Sequence, residues 1–291
     1  MRLTEAKVIL STQNGMNPYR GPGGDPAFVD ARFSKARRKG DPEEPEAKGN
    51  APELLEIALR RKKNKCMIMA GGICDPYLKE EAELRLMRRC LEVIDRYGYG
   101  VCLQTNEPLL LRDLDLLTSI HRKSRCIVET ELCTVSDELS AKLEPGLCPP
   151  AERIRMLEEL NRAGIPVVVR LTPVLPWVND SPANLKELLS HFTRNGVYGI
   201  RSMGFTFMIR SGGRNAFRER LSACFPDLPD RYETAFGQAS ELKPETWEEL
   251  NRILEETCRD YHMECDAAKL FTWMHAFVDR EAGAQLSLFD L

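Results

Sequence analysis

Apolar runs typical of buried strands alternate with helical patterns along most of this chain, and that alternation most limits how it can fold. Nearly continuous apolar runs lie at residues 66–70, 99–104, 126–131, 165–171 and 199–207. Such runs are typical of strands that are covered on both faces. Apolar residues recur at helical spacing at 80–97, 111–120, 151–163 and 184–195. This order predicts an α/β fold with a parallel sheet and helical crossovers.

The joints between these elements agree with that prediction. Gly98, Gly164 and Gly196 each follow a predicted helix, where a left-handed residue ends a helix at low cost. A sixth strand is expected near residues 16–19, and the pattern turns mostly helical after residue 207. We therefore expect a sheet-forming region at 1–210, a helical cover of the same domain at 211–281 and a flexible tail at 282–291.

Composition excludes several classes of protein. The chain has 291 residues and a net charge of −3, so any nucleic-acid contact must come from local basic patches. No apolar run approaches the roughly 20 residues that span a bilayer, and no apolar segment near the start predicts a signal peptide. The 10 cysteines are too few in a chain this long for a disulfide framework. The sequence thus predicts a cytoplasmic protein without a membrane span.

The segment after the sixth strand carries a family resemblance. Its flanks, Asn17-Pro18-Tyr19-Arg20-Gly21 and Asp30-Ala31-Arg32, resemble the opening of the radical S-adenosylmethionine (SAM) enzymes related to spore photoproduct lyase. Between such flanks that family has C-x3-C-x2-C, which holds a [4Fe–4S] cluster. Pro22, Pro26 and Val29 stand at these three positions here. Cluster irons are held by thiolates, so the expected ligands are missing.

The resemblance implies a partial (β/α)6 barrel of the TIM type, with a C-terminal helical cover and chemistry in the loops after the strands. It implies that Gly71 and Gly72 bind the methionine amino group of SAM, and Asp75 in the same loop is predicted to be a further cofactor-binding residue. A tight turn, capped by Asp75, is the alternative. It also makes Cys74 a candidate hydrogen-donating catalytic thiol, although a core or half-buried packing role is the preferred interpretation.

Polar residues at the ends of the next strands are further candidates. Thr105, Asn106 and Glu129 are predicted to hold the ribose or carboxylate of SAM at the barrel mouth. Glu129 and Glu131 share one face of their strand by the two-residue period. Arg170 in the following strand could instead pair with them in a structural ion pair, and both interpretations remain open.

The loop without cysteines, residues 22–29, allows several explanations. Its residues favour a turn, and its length is in register with the family, so a substituted loop in a degenerate family member is the preferred hypothesis. A cluster built from Cys74, Cys133 and Cys148, or an altered or misread gene, are the others. Elsewhere, Cys258, Cys265 and His262 could suggest zinc, but their helical pattern favours packing.

Two features point to macromolecular partners. Basic groups could contact DNA phosphates, and they lie at Arg32, Lys35, Arg37, Arg38, Lys39, 60–63, Arg210, Arg214, Arg218 and Arg220. The tail resembles the pentapeptide by which bacterial repair proteins and polymerases bind the DNA sliding clamp, and its residues are Gln285, Leu286, Ser287, Leu288 and Phe289. A tail folded onto its own barrel is the alternative.

Together these features give three hypotheses. An active family member would use its cluster to reduce SAM, form a 5′-deoxyadenosyl radical and act as a lyase on a DNA lesion. The first hypothesis is a cluster-less relative, a pseudoenzyme of DNA repair that still binds SAM or DNA. The second is an active radical SAM lyase with an unconventional cluster or a misread loop. The third is a clamp-docked adaptor or nucleic-acid-binding scaffold.

Overall fold

The computed structural model describes residues 1–21, 28–30, 44–209 and 211–281. The strands are β1 Arg2–Thr4, β2 Gly15–Met16, β3 Tyr19–Arg20, β4 Glu46–Lys48, β5 Met67–Ala70, β6 Gly100–Gln104, β7 Cys126–Glu131, β8 Val167–Arg170, β9 Gly199–Arg201, β10 Phe207–Met208 and β11 Glu241–Leu242. The helices are α1 Ala51–Arg61, α2 Glu81–Leu84, α3 Leu86–Tyr97, α4 Leu114–Lys123, α5 Asp137–Leu143, α6 Pro150–Arg162, α7 Pro182–Arg194, α8 Arg214–Cys224, α9 Pro229–Phe236, α10 Trp247–Asp260 and α11 Ala267–His275.

A six-stranded parallel sheet organises the chain, in the order β2-β5-β6-β7-β8-β9. Each neighbouring pair in it is parallel. The predicted α/β fold, a partial (β/α)6 barrel, is therefore confirmed. The expectation for residues 199–207 as one strand is wrong: β9 ends at Arg201, and Met203, Gly204 and Phe205 all have positive φ angles. Left-handed backbone cannot continue a strand, so the chain turns there.

The outer face of the sheet packs against the crossover helices. Buried residues of alternate strand positions, among them Ile68, Val101 and Val128, join the helices in the largest apolar core. The predicted helix at 80–97 is divided into α2 and α3, because Arg85 between them is left-handed with φ 50°. Gly98, which follows α3, is also left-handed, as its position predicted.

The inner face of the sheet has a separate apolar core at the end where the strands begin. Met67, Cys102, Ile127 and Val168 pack there against two residues of α11, Leu270 and Met274. A Cβ added at Gly199 would overlap the Leu270 side chain, so the helix approaches the start of β9 closely. Helix α11 therefore fills the amino end of the barrel.

The other C-terminal elements pack elsewhere. Strands β10 and β11 form an antiparallel ribbon. With α8 and α9 this ribbon builds a second core that contains Phe28, Phe207, Phe217 and Tyr232. Helix α10 contributes Leu250 and Leu254 to the outer core of the barrel. In the described ranges, none of the helices combines the length and the apolar character that a membrane crossing requires.

Candidate functional site

A layer of buried charge lies on the inner face of the barrel, one pleat above the apolar core of α11. Its centre is Glu129 on β7, whose side chain is fully buried. The Arg201 guanidinium lies 2.6 Å from Glu129 Oε1, and the Gln104 amide donates to Oε2 at 2.5 Å. A carboxylate in this position is stabilised because it is paired and hydrogen-bonded.

A second ion pair lies closer to the mouth. Arg170 Nη2 is 2.6 Å from Glu131 Oε1, and Arg170 Nε is 4.0 Å from Glu129 Oε2. The expected pairing of Arg170 with these carboxylates is confirmed. Arg201 was missed, although it is paired in register with Arg170 on the neighbouring strand. The sequence did contain a signal for Arg201, because it is a second arginine at the end of a second buried strand, in the same position as Arg170.

The mouth of the barrel holds a cavity of about 220 Å³. Most of its polar lining comes from the ends of β5 to β8 and the loops that directly follow them, as expected for a barrel of this type. The loop before β4 and the segment at the end of α5 add apolar residues and two further carboxylates, those of Asp30 and Glu144. The lining residues are Phe28, Val29, Asp30, Gly71, Asp75, Gln104, Thr105, Asn106, Glu131, Leu143, Glu144, Pro145, Leu147, Arg170, Thr172 and Pro173.

Asp75 is held at the edge of this cavity by hydrogen bonds from two segments. Its carboxylate accepts from the Thr105 hydroxyl at 2.7 Å and from the backbone N–H groups of Tyr77 and Asn106 at 2.9 and 3.0 Å. Burial raises the pKa of Asp75 above its ordinary value, these three bonds oppose the increase, and the charge of Glu131 adds to it. Asp75 thus both caps its own loop and lines the cavity.

Asn106 links the ends of two strands. Its Oδ1 accepts from the Thr130 hydroxyl at 2.9 Å and from the Glu131 N–H at 2.8 Å, and its Nδ2 donates to Glu131 Oε2 at 3.2 Å. This fixes the Glu131 carboxylate at the mouth. Thr105 and Asn106 line the cavity as predicted, whereas Glu129 lies below it and Glu131 takes that place.

Gly71 is required by its surroundings. It has φ +93°, and a Cβ there would overlap the carbonyl oxygen of Gln104. A side chain is therefore excluded, and Gly71 lines the cavity with backbone. Gly72 is exposed beside the Gln104 side chain and does not belong to the lining.

Cys74 lies away from the cavity lining. Its side chain packs against a small apolar cluster of Tyr19, Ala47 and Leu86. Burial, followed by the nearby charge of Asp75, raises the pKa of the Cys74 thiol to about 12, so it is protonated at neutral pH. This geometry supports the packing interpretation of Cys74.

A buried ion pair supports the wall of the cavity. Arg153 on α6 is fully buried and donates to Glu144 Oε2 at 2.8 Å and to the Glu131 carbonyl oxygen at 2.7 Å. Glu144 lines the cavity in the loop that follows α5. Nearby Glu107 is half-buried, and burial, followed by the charge of Asp75, raises its pKa to about 7.

Of the three predicted cluster positions, the structure describes one. Val29 lines the cavity and is 39% exposed, and Pro22 and Pro26 lie outside the described residues. Within the described ranges, no three His, Cys, Asp or Glu side chains are grouped so that they could hold a metal ion. That finding contradicts a substitute cluster from Cys74, Cys133 and Cys148, and zinc at Cys258, Cys265 and His262.

Several predicted phosphate-binding cations have partners in the protein. Arg214 donates to the carbonyl oxygen of Gly237 at 2.5 Å, Arg218 pairs with Glu233 at 3.5 Å, and Arg220 donates to the carbonyl oxygen of Lys142. The predicted cations at 32–39, Arg210 and the tail pentapeptide 285–289 lie outside the described residues.

Comparison with known sequences gives distant relatives, and no protein-family model matches the chain. An uncharacterized protein of Mycobacterium tuberculosis is 26% identical over 220 residues, which cover 75% of this chain and 64% of the relative. An uncharacterized protein of Acidianus two-tailed virus is 24% identical over 200 residues, which cover 68% of this chain and 60% of the relative. The chain thus spans less than two thirds of the length of these relatives.

Comparison with solved structures identifies the fold. A cysteine-to-serine variant of spore photoproduct lyase superposes with a TM-score of 0.61 at 14% identity, covering 89% of this chain and 77% of that one. A doubly substituted variant with bound AdoMet and dinucleoside spore photoproduct gives 0.57 at 14% identity, with 84% and 72% covered. The chain therefore has the same partial-barrel fold as these spore photoproduct lyase structures.

Proposed function

We propose that this protein binds intact SAM in the mouth cavity and is a cluster-less relative of the spore photoproduct lyase-like enzymes. The charge of the cavity lining is the observation that carries the proposal. Among the lining residues that the structure describes, four carboxylates, those of Asp30, Asp75, Glu131 and Glu144, face the cavity with one guanidinium, that of Arg170. Even with Arg153 pairing Glu144 from behind, the described lining remains acidic.

An acidic cavity selects its ligand by charge. SAM carries a sulfonium and an ammonium against one carboxylate, so it is a net cation and is attracted by this lining. A phosphate group would be repelled, because like charges at short range in a partly desolvated site are strongly unfavourable. The related structure that holds AdoMet supports the same class of ligand for this fold.

A [4Fe–4S] cluster does not fit the residues at the expected position. Cluster irons require thiolate or comparable donors, and Pro22, Pro26 and Val29 carry none. Val29 places an aliphatic side chain at the cavity rim, where the resemblance assigns the third ligand. In this proposal the bound SAM therefore stays intact.

Iron analysis and calorimetry test this proposal together. Protein purified and reconstituted without oxygen should contain no stoichiometric iron or sulfide and should still bind SAM in titration calorimetry. The matched control restores the ligands with Pro22→Cys, Pro26→Cys and Val29→Cys, and should gain iron and the broad absorbance of a cluster. A brown wild-type protein that yields 5′-deoxyadenosine with dithionite would overturn the cluster-less assignment. If the protein does not bind SAM, the assignment of SAM as its ligand is wrong.

We further propose that DNA is contacted by the basic run at residues 32–39. The basic run at 32–39 lies in the sequence between Asp30, which lines the cavity, and β4. A patch of this kind binds phosphates in a salt-dependent, sequence-independent way. Fluorescence anisotropy with duplex DNA should show an affinity that falls with salt. It should weaken when Arg37, Arg38 and Lys39 are replaced by Gln, and an unchanged affinity would count against this surface.

Docking on the bacterial sliding clamp is our proposal for the tail. Its support is the pentapeptide 285–289, in which apolar Leu286, Leu288 and Phe289 can enter a groove from an extended chain. Pull-down with purified clamp should succeed for the full chain and fail after truncation following Ala284. A variant with Leu288→Ala and Phe289→Ala controls for chain length and should fail as well. Equal capture of all three proteins would remove this partner.

A further inference from the structure

Two acidic side chains and one basic side chain line the same cavity: Asp75, Glu131 and Arg170. We infer that they form a subsite for the amino-acid and sulfonium end of the ligand, so that side chains of this protein, and not a metal centre, hold that end. This inference rests on the proposed function and adds how the ligand is recognised.

The geometry of the subsite is fixed from three strands. Asp75 is held by the Thr105 hydroxyl at 2.7 Å, and Glu131 by Asn106 Nδ2 at 3.2 Å and Arg170 Nη2 at 2.6 Å. Thr105 and Asn106, which also line the cavity, anchor the two carboxylates before any ligand arrives. This preorganisation lowers the entropic cost of binding, and only Arg170 has to change its partner.

The charges match one ligand group each. The ammonium and the sulfonium of SAM require two carboxylates, which Asp75 and Glu131 supply. The carboxylate of SAM requires a guanidinium, which Arg170 supplies and can bind with two parallel hydrogen bonds. On binding, the Glu131–Arg170 contact is exchanged for contacts with the ligand, so the number of paired charges does not fall.

The position of the Glu131–Arg170 pair separates it from a purely structural ion pair. The Glu129–Arg201 pair already stabilises the inner face, and the Glu129 side chain has no exposed surface. In contrast, the side chains of Glu131 and Arg170 are 21% and 13% exposed and both line the cavity. The upper pair is thus reachable by a ligand at the mouth.

A series of ligands tests the inference on the unaltered protein. Calorimetry would compare SAM with decarboxylated SAM, which lacks only the carboxylate, and with S-adenosylhomocysteine, which lacks the sulfonium charge. We expect decarboxylated SAM to bind about 30-fold or more weakly, because a desolvated charge pair is lost. S-adenosylhomocysteine should also bind about 10-fold more weakly.

A variant of Arg170 tests whether this residue binds the carboxylate of SAM. In Arg170→Met the difference between SAM and decarboxylated SAM should disappear, whereas in the surface control Arg252→Gln it should be retained. Far-ultraviolet circular dichroism of Arg170→Met establishes that the variant is folded. If it is not, Arg170→Lys, which keeps the charge but loses the planar fork, should show a reduced difference.

The possible outcomes distinguish a failure of the subsite from a failure of the proposed function, which is SAM binding. Tight binding of SAM with equal affinity for decarboxylated SAM would overturn the subsite and leave the proposed function standing. No binding of SAM would overturn both. A selectivity for the carboxylate that persists in folded Arg170→Met would overturn the role of Arg170.

Discussion

Glu129 and Glu131 lie two residues apart on the inner face of β7, yet only Glu131 reaches the cavity. Glu129 is fully buried between Gln104 and Arg201, and Glu131 pairs with Arg170 one pleat nearer the mouth. The two-residue period of a strand gives both side chains the same face, and depth along the barrel gives them different roles. The lower carboxylate is expected to stabilise the fold and the upper one to meet a ligand.

Removing the charge of Glu129 should therefore destabilise the protein. In Glu129→Gln the Arg201 guanidinium loses its carboxylate, and the free energy of unfolding should fall by about 3 kcal/mol, the lower end for a broken buried ion pair. Urea denaturation followed by circular dichroism measures this loss. The exposed pair of Glu138 with Lys142 supplies the control, and Glu138→Gln should leave the midpoint unchanged. Equal midpoints for all three proteins would contradict a stabilising role for Glu129.

Glu107 should make stability depend on pH in the neutral range. Its pKa in the folded protein is about 7, raised by burial from an ordinary 4.5, so the folded state holds the proton more tightly than the unfolded state. The stability this provides is complete below pH 4.5 and is lost as the pH rises through 7.

Replacement of Glu107 by glutamine should remove that dependence. Because the side chain is only half-buried, we expect wild type to lose about 1 kcal/mol relative to Glu107→Gln across this range. Thermal melts of both proteins at several pH values make the comparison. A constant difference between them from acid to neutral pH would show that the Glu107 pKa is ordinary.

Gly71 should tolerate no side chain, because of both its backbone angle and its contact with Gln104. Gly71→Ala should destabilise by about 3 kcal/mol or more, which combines the cost of a left-handed alanine with a backbone overlap. Gly146 separates the two effects, since it has φ +82° but open space around a Cβ. Gly146→Ala should cost only about 1–2 kcal/mol. Chemical denaturation of the two variants measures both costs, and equal values would dismiss the overlap.

As the pH falls, affinity for a cationic ligand should begin to weaken at a higher pH than it would if the pKa of Asp75 were that of an ordinary aspartate. Burial raises the pKa of Asp75, so this carboxylate takes up a proton and loses its attraction for a cation at a pH above the ordinary 3.8. Calorimetric titration with SAM at decreasing pH should show this decline. It should be shallower in Asp75→Asn, whose affinity is already low at neutral pH. Identical profiles for the two proteins would exclude Asp75 from the site.

The sequence predicted the sheet well because buried parallel strands leave continuous apolar runs, and β7 has the predicted bounds 126–131. It placed Asp75, Thr105 and Asn106 at the cavity because strand ends of a barrel converge. It failed where the backbone adopts left-handed angles at non-glycine residues, as at Arg85 and Met203, since no local residue signal marks them.

The sequence also could not predict how deep inside the barrel the side chains of Glu129 and Glu131 lie. Whether Glu129 or Glu131 meets the cavity depends on how far α11 fills the inside, and α11 follows β7 by more than a hundred residues in the chain. The position of Cys74 depends similarly on the packing of β3 and β4 around Tyr19 and Ala47.

Helix α11 gives the barrel the form of a cup, with Leu270 and Met274 as its base. If a small molecule binds beside Arg170 as proposed, it would have the protein core beneath it and could exchange with solvent only through the mouth. A macromolecule bound over the mouth would then trap the small molecule, which would have to enter first and leave last.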